Sequence, residues 1–275
     1  MSVKAIKIAM AGLPGKMSAS IAELAIESNG IELADLALTG PGVIPEQVIG
    51  NKKIALISVE DKESFFSEIK NSGVDIIVDF SHPSAVSGNV TEYTQRKIPF
   101  ILGTTGGDYE KAESQVINSQ TPAIIAPNMA LPIVAITAMF EMCSSEFPGV
   151  FSKYNLSVKE THQEGKADTS GTAKALISLL QKTGAQFKED DLNLCRDSEI
   201  QKNEWGIPEE HLSGHAFHTY DLFNSDKSAH FSFSHNVLGR KIYSEGTLDA
   251  VRFLASRLDD KVTRSYNMID VLKNL

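Results

Sequence analysis

Two patterns of apolar and polar positions divide the chain. In the first half, short and almost unbroken apolar runs alternate with amphipathic stretches and glycine-bearing turns. Residues 3–11 read as a buried strand with a polar approach, and Ile21, Ala22, Leu24, Ala25 and Ile26 recur at helical spacing as far as Asn29-Gly30. Further apolar strands are expected over residues 31–38, 54–57, 74–80, 99–102 and 123–126. A helix is expected over residues 62–71, and Ser81-His82-Pro83-Ser84-Ala85 opens another. Strands alternating with helices predict an α/β domain on a doubly wound, Rossmann-like parallel sheet, with its ligand crevice at the strands' carboxyl ends.

The second half is patterned differently. Residues 131–144 form a long apolar helix, and the character changes near Pro148-Gly149. Residues 154–160, 216–222 and 229–235 alternate between apolar and polar, as half-exposed strands do, while residues 190–205 are polar and mixed. A second, α+β domain with an open, mostly antiparallel sheet follows from this. An amphipathic helix over residues 247–255 returns to the first domain, and Met268-Ile269-Asp270-Val271-Leu272 closes the chain. The expected organisation is a dinucleotide-binding domain over residues 1–130, completed by C-terminal helices within 241–275. A substrate-binding and oligomerisation domain occupies residues 131–240.

Charge narrows the partners. A formal net charge of −9 over 275 residues argues against nucleic acid and against anionic membrane surfaces. Any anionic ligand must therefore meet a local cationic pocket. Cys143 and Cys195 stand far apart without CxxC spacing, which favours reduced thiols. No stretch has transmembrane length, and the N-terminus runs straight into a strand with no room for a targeting peptide, so a cytoplasmic location is expected. His215, His218, His230 and His235 lack Cys or acidic partners at ligand spacing, so no metal is expected.

Two stretches carry the candidate chemistry. Gly12-Leu13-Pro14-Gly15-Lys16-Met17-Ser18 lies between the first strand and its helix, where backbone amides approach a pyrophosphate and glycines remove obstructing Cβ atoms. It is not a full GxGxxG. The second strand ends in Thr39-Gly40-Pro41-Gly42, without the acid that accepts a ribose 2′-OH in many NAD enzymes. NADPH is therefore preferred over NADH, with Lys16 or Thr39 available to a 2′-phosphate. The other stretch runs from Glu160 to Lys174 and gathers His162, Lys166 and Thr169-Ser170-Gly171-Thr172 ahead of an apolar helical pattern. Thr169 or Ser170 caps that helix, whose N-terminus and Lys166 suit an anion, and His162 can give up a proton near neutral pH. A cap without function is the plainer alternative on local chemistry alone.

Glu160-x-His162-x-x-x-Lys166-x-Asp168-x-Ser170-Gly171-Thr172-Ala173 resembles the active-site loop of the dihydrodipicolinate reductase family. Gly12, Gly15, Lys16 and Met17 are similar to the family's Gly-x-x-Gly-Arg/Lys-Met-Gly, with Ser18 in place of the last glycine. Gly103-Thr104-Thr105-Gly106 and Ala126-Pro127-Asn128-Met129 resemble its nicotinamide-side turns, and His235 with Arg240 its His-x-x-x-x-Arg. His162-Gln163, where most bacterial members have His-His, and the shortened loop resemble the plant-type branch. The resemblance implies NAD(P)H-dependent reduction of an unsaturated ring dicarboxylate, a small dicarboxylate partner and a homotetramer. It implies His162 as proton donor, assisted by Lys166, and substrate contacts from Thr105, Gln163, Lys166, Ser170, Gly171, Thr172 and Arg240. Another two-domain nicotinamide dehydrogenase, or a non-catalytic dinucleotide sensor, remains as an alternative reading.

Overall fold

The computed structural model describes residues 4–166, 168–260 and 265–275. Val3 of the expected first strand and Ala167 of the central loop lie outside these. In chain order come β1 (Ile6–Ala11), α1 (Lys16–Glu27), β2 (Ile31–Thr39), β3 (Glu46–Ile49), β4 (Lys52–Ser58), α2 (Lys62–Ser72), β5 (Ile76–Asp79), α3 (Val86–Gln95), β6 (Phe100–Leu102), α4 (Tyr109–Ser119) and β7 (Ala123–Ile125). There follow α5 (Leu131–Glu146), β8 (Tyr154–His162), α6 (Gly171–Lys182), β9 (Leu192–Cys195), α7 (Ser198–Asn203), β10 (His215–Asn224), β11 (His230–Leu238), α8 (Lys241–Ala255), β12 (Ser265–Tyr266) and α9 (Met268–Leu272). Two compact units result, Met1–Leu131 with Lys241–Leu275, and Pro132–Arg240.

The first unit is an eight-stranded sheet in the order β12-β7-β6-β5-β1-β2-β4-β3. Every pairing is parallel except β3 with β4. β1 sits between β2 and β5, so the chain leaves it first to one side and then to the other. That reversal is the switch point where an open α/β sheet binds its ligand. Helices cover both faces, which is why β5, β6 and β7 are buried throughout and read as unbroken apolar runs. Phe65, Phe66, Val90, Tyr93 and Val116 of the helices pack on Ala9, Leu38, Ile77 and Leu102 of the strands. Edge strand β3 escapes the pattern because only Ile49 of its four residues is buried.

The second unit is a four-stranded sheet in the order β11-β10-β8-β9. β8 pairs antiparallel with β10, as does β10 with β11, while β8 and β9 run parallel. Alternation sends Leu156, Val158, Tyr220 and Leu222 to one face, where Leu176, Ile177 and Leu180 of α6 cover them. Two differences from the expected pattern bear on the site. β8 continues beyond residue 160 because its register with β10 runs on to the pair His162–Ala216. And residues 190–205, without periodicity, supply both β9 and α7.

Candidate active site

In the first unit, turns leave the carboxyl ends of β1, β5, β6 and β7 side by side. Gly12 takes φ +110°, and a Cβ there would stand 2.4 Å from the Phe80 carbonyl oxygen. Only glycine fits, and it leaves the cradle that a pyrophosphate needs. Gly15 precedes α1 and donates its N–H to the Gly12 carbonyl at 2.9 Å. Leu13 is buried, whereas Pro14 and Lys16 are exposed, and Met17 is half-buried. Ser18, where the family shows glycine, is fully buried and donates its hydroxyl to Ala11 O at 3.5 Å, so α1 still approaches β1 closely.

Thr39, at the end of β2, faces the glycine turn. It is 3% exposed and donates its hydroxyl to Leu13 O at 2.6 Å, which shapes the glycine turn and leaves no hydroxyl proton for a phosphate.

Asp79 ties two of the turns together. Its buried carboxylate accepts from the Ser81 N–H (2.9 Å), Asn89 Nδ2 (2.9 Å), the Tyr93 hydroxyl (2.8 Å) and Thr104 Oγ1 (3.4 Å). Burial, and then Asp79 itself, push the Tyr93 hydroxyl well above its ordinary pKa, so it remains a donor. Gly103 donates its N–H to Asp79 O, and Ala126 to Leu102 O. Asn128 Oδ1 accepts from the Ala130 N–H, while Thr105 and Pro127 are exposed and Met129 is buried.

In the second unit, one end of the sheet collects the remaining candidates. His162 ends β8, and its ring is held in the sheet rather than on a solvated loop. Glu160 precedes it on the same face, fully buried. The Glu160 carboxylate receives the Ser170 N–H at 3.0 Å and Arg196 Nη2 at 2.6 Å, and His218 Nε2 lies 3.3 Å away. Burial alone would raise this carboxyl, but those partners outweigh it and hold Glu160 well below the usual carboxylate range. Ser170 caps α6 by accepting from the Ala173 N–H at 3.0 Å, and its hydroxyl lies 2.9 Å from His218 Nε2. Ser170, Gly171 and Thr172 therefore present a formed helix N-terminus next to His162.

Burial, assisted by the neighbouring His218, pushes the His162 imidazole down to about 4, against the pull of Glu160. Its Nε2 is buried and has no hydrogen-bond partner among the described residues. Lys166 closes a turn through its N–H to Gln163 O at 3.0 Å and sets its ammonium 2.8 Å from Asp168 Oδ1. Arg240 lies at the same end of the sheet. Its guanidinium stands against Gly214, just before β10, and Gly239 donates to Gly214 O at 2.7 Å.

Glu160, His162 and His218 offer three ligand atoms within 4.8 Å of one another, which metal coordination requires. Arg196 already occupies Glu160 Oε1 and would set a full positive charge against any cation there. The cluster is an ion-paired network, and we assign it no metal. Arg196 and Gln201 go unannounced in the sequence, and Glu160 and His218 stand in it without a role of their own. Their partners are brought together by sheet pairing across distant strands, and only the alternation of β8 hints at Glu160.

A switch-point glycine cradle in one unit and a buried histidine beside a lysine and a helix N-terminus in the other define a nicotinamide-dependent oxidoreductase. The chain belongs to the dihydrodipicolinate reductase family. The family's model for the N-terminus matches residues 6–129, and that for the C-terminus residues 133–272. It is 41% identical to 4-hydroxy-tetrahydrodipicolinate reductase 1, chloroplastic, of Arabidopsis thaliana, over 98% of this chain and 78% of that one. A probable reductase 2 of Oryza sativa is 39% identical, over 95% and 81%. The reductase of Methanoregula boonei is 25% identical, over 97% of each. Among solved structures, the dipicolinate-bound dihydrodipicolinate reductase of a Paenisporosarcina species shares the fold with a TM-score of 0.66 and 16% identity, covering 96% and 97%.

Proposed function

We propose that this protein reduces 4-hydroxy-tetrahydrodipicolinate (dihydrodipicolinate) to tetrahydrodipicolinate in lysine and diaminopimelate biosynthesis. The observation that carries the site assignment is His162 Nε2, buried and without a hydrogen-bond partner among the described residues, beside Lys166 and the N-terminus of α6. A buried nitrogen left in that state is costly unless a ligand meets it. The bound nicotinamide supplies a hydride to one end of the ring's conjugated C=C–C=N system, with water lost from the 4-hydroxy form. His162 delivers the proton that completes the product. Lys166 and Arg240 counter the two carboxylates, and the N-terminus of α6 receives one of them through the Gly171 and Thr172 N–H groups, the Ser170 N–H being held by Glu160. Gln163, half-buried at the start of the turn, donates a hydrogen bond to the substrate, and Thr105 touches it from the cofactor side.

The pKa of His162 sets a condition on this role. At about 4 it is neutral near pH 7, so it must gain its proton as the dianionic substrate brings negative charge to its side. A group with a low pKa when free and a raised one in the complex takes up a proton on binding. Calorimetric titration of dipicolinate into the NADPH-loaded protein, in buffers of different ionisation enthalpy at pH 7, is expected to show net uptake approaching about one proton per site. The uptake should vanish in His162→Gln; uptake unchanged in that variant would remove His162 from the role.

The cofactor is proposed to be NADPH in preference to NADH. β2 ends without an acid, and exposed Lys16 opens α1 beside it. Lys16→Ala is expected to lower kcat/KM with NADPH by roughly tenfold and leave NADH within about twofold, as loss of one exposed phosphate contact would. A homotetramer built on the open face of the β11-β10-β8-β9 sheet, around Ser157, Lys159, Asp221 and His230, belongs to the same proposal. So does a cytoplasmic setting, on the free Cys143 and Cys195, although the plant relatives' names are chloroplastic. No helix among the described residues is long and apolar enough to cross a membrane.

A further inference from the structure

We propose that Arg196 is a positioning residue for the reaction, holding the backbone on both sides of the His162–Lys166 turn in a single geometry. The proposal rests on the reductase reading of the same site. Arg196 follows β9, the strand laid parallel to β8, and its side chain is 18% exposed. Nε donates to Lys166 O at 2.6 Å. Nη1 donates to Cys195 O at 3.0 Å and to Glu160 O at 3.4 Å. Nη2 donates to Glu160 Oε1 at 2.6 Å and to Asp168 O at 3.3 Å.

A guanidinium carries five N–H groups. Each of these has an acceptor within the protein, so none is left to grip a substrate carboxylate, and direct substrate binding is excluded for this side chain. The acceptors show its purpose. Main-chain carbonyls of Glu160, Lys166 and Asp168 lie on either side of the turn, and reading carbonyls fixes the backbone itself. Lys166 Cα is thereby placed relative to the end of β8. Gln201, fully buried, adds a second brace by donating Nε2 to His162 O at 2.7 Å. The Glu160 carboxylate joins the clamp to the N-cap of α6 through the Ser170 N–H. One planar cation thus connects the proton donor, the lysine turn and the anion-binding helix. A lysine in its place could match the charge but not span these acceptors.

The test is a double-mutant cycle on the NADPH-loaded full chain, with Arg196→Met and Arg196→Lys made alone and together with Lys166→Ala. Substrate KM, kcat, NADPH affinity and thermal stability are measured for each. Arg196→Met is expected to lower kcat by about 10²-fold, as a displacement of about 1 Å at the reacting groups does, with NADPH affinity unchanged. Arg196→Lys should keep the fold and still lose more than about tenfold in kcat, because the fork is gone. In the Lys166→Ala background, either change should cost less than about threefold, since groups that act as a unit are not additive. Should Arg196→Met fail to fold, Arg196→Lys carries the cycle alone. Equal losses in both backgrounds, or a loss confined to substrate KM, would overturn the proposal. An active wild type with additive losses rejects the positioning role only, whereas an inactive wild type rejects the reductase reading and this role with it.

Discussion

Replacing His162 by glutamine is expected to lower kcat by about 10²–10⁴-fold while leaving NADPH affinity unchanged. Glutamine keeps a polar side chain of similar reach at the end of β8, so the pairing with Ala216 and the bond from Gln201 to the His162 carbonyl survive. What disappears is a group able to hold and release a proton at the position of Nε2. Lys166→Ala should lose activity for a different reason. It removes the cation proposed to offset substrate charge, so KM is expected to rise along with the fall in kcat. Steady-state kinetics with saturating NADPH, and cofactor titration by fluorescence, separate the two signatures. A His162→Gln variant retaining more than about a tenth of wild-type kcat would assign the proton to another group.

Gly246→Ala is expected to destabilise the protein and weaken cofactor binding together. Gly246 lies within α8, where alanine is normally the better residue by about 1 kcal/mol. Here a Cβ would stand 1.8 Å from the Met129 carbonyl oxygen, a separation no non-bonded pair tolerates. Either α8 or the turn through Pro127, Asn128 and Met129 must move. Overpacking of this kind costs about 1–3 kcal/mol, a fall in Tm of roughly 2–10 °C for a chain of this size. If about 1.4 kcal/mol of the displacement is expressed at the turn, the NADPH Kd rises about tenfold. Gly88→Ala is the control. Gly88 lies in α3 with nothing within 4 Å of its Cβ position, so the same substitution should be neutral or stabilising by about 0.5–1 kcal/mol. Matching outcomes at the two positions would contradict the close approach of α8 to Met129.

These sites also show how far the sequence can be read. The doubly wound sheet was legible because buried parallel strands carry unbroken apolar runs and their turns carry glycine. Gly12 declares itself in the string, since its neighbours in sequence are also those of the turn. Gly246 does not. Its need for hydrogen in place of a methyl comes from Met129, more than a hundred residues away, and a lone glycine in a helical pattern looks like a weak point. Likewise His162 and Lys166 stand in one short motif, while their support arrives from β9, α7 and β10. Arg196 and Gln201 fall in a stretch with no periodicity, and His218 resembles any histidine on a strand. Thr39 shows the same limit locally: a threonine at a strand end reads as a phosphate donor, and nothing in the string shows that its hydroxyl closes the adjacent turn.

The reductase activity and the role of His162 are tested together by NADPH oxidation followed at 340 nm, with substrate generated in situ by a coupled synthase, for the wild-type protein and for His162→Gln. Rapid oxidation that depends on the synthase and is lost in the variant is the expected result. NADPH that binds the wild type yet is not oxidised when substrate is supplied would contradict it, and would leave a dinucleotide-binding protein without the reaction.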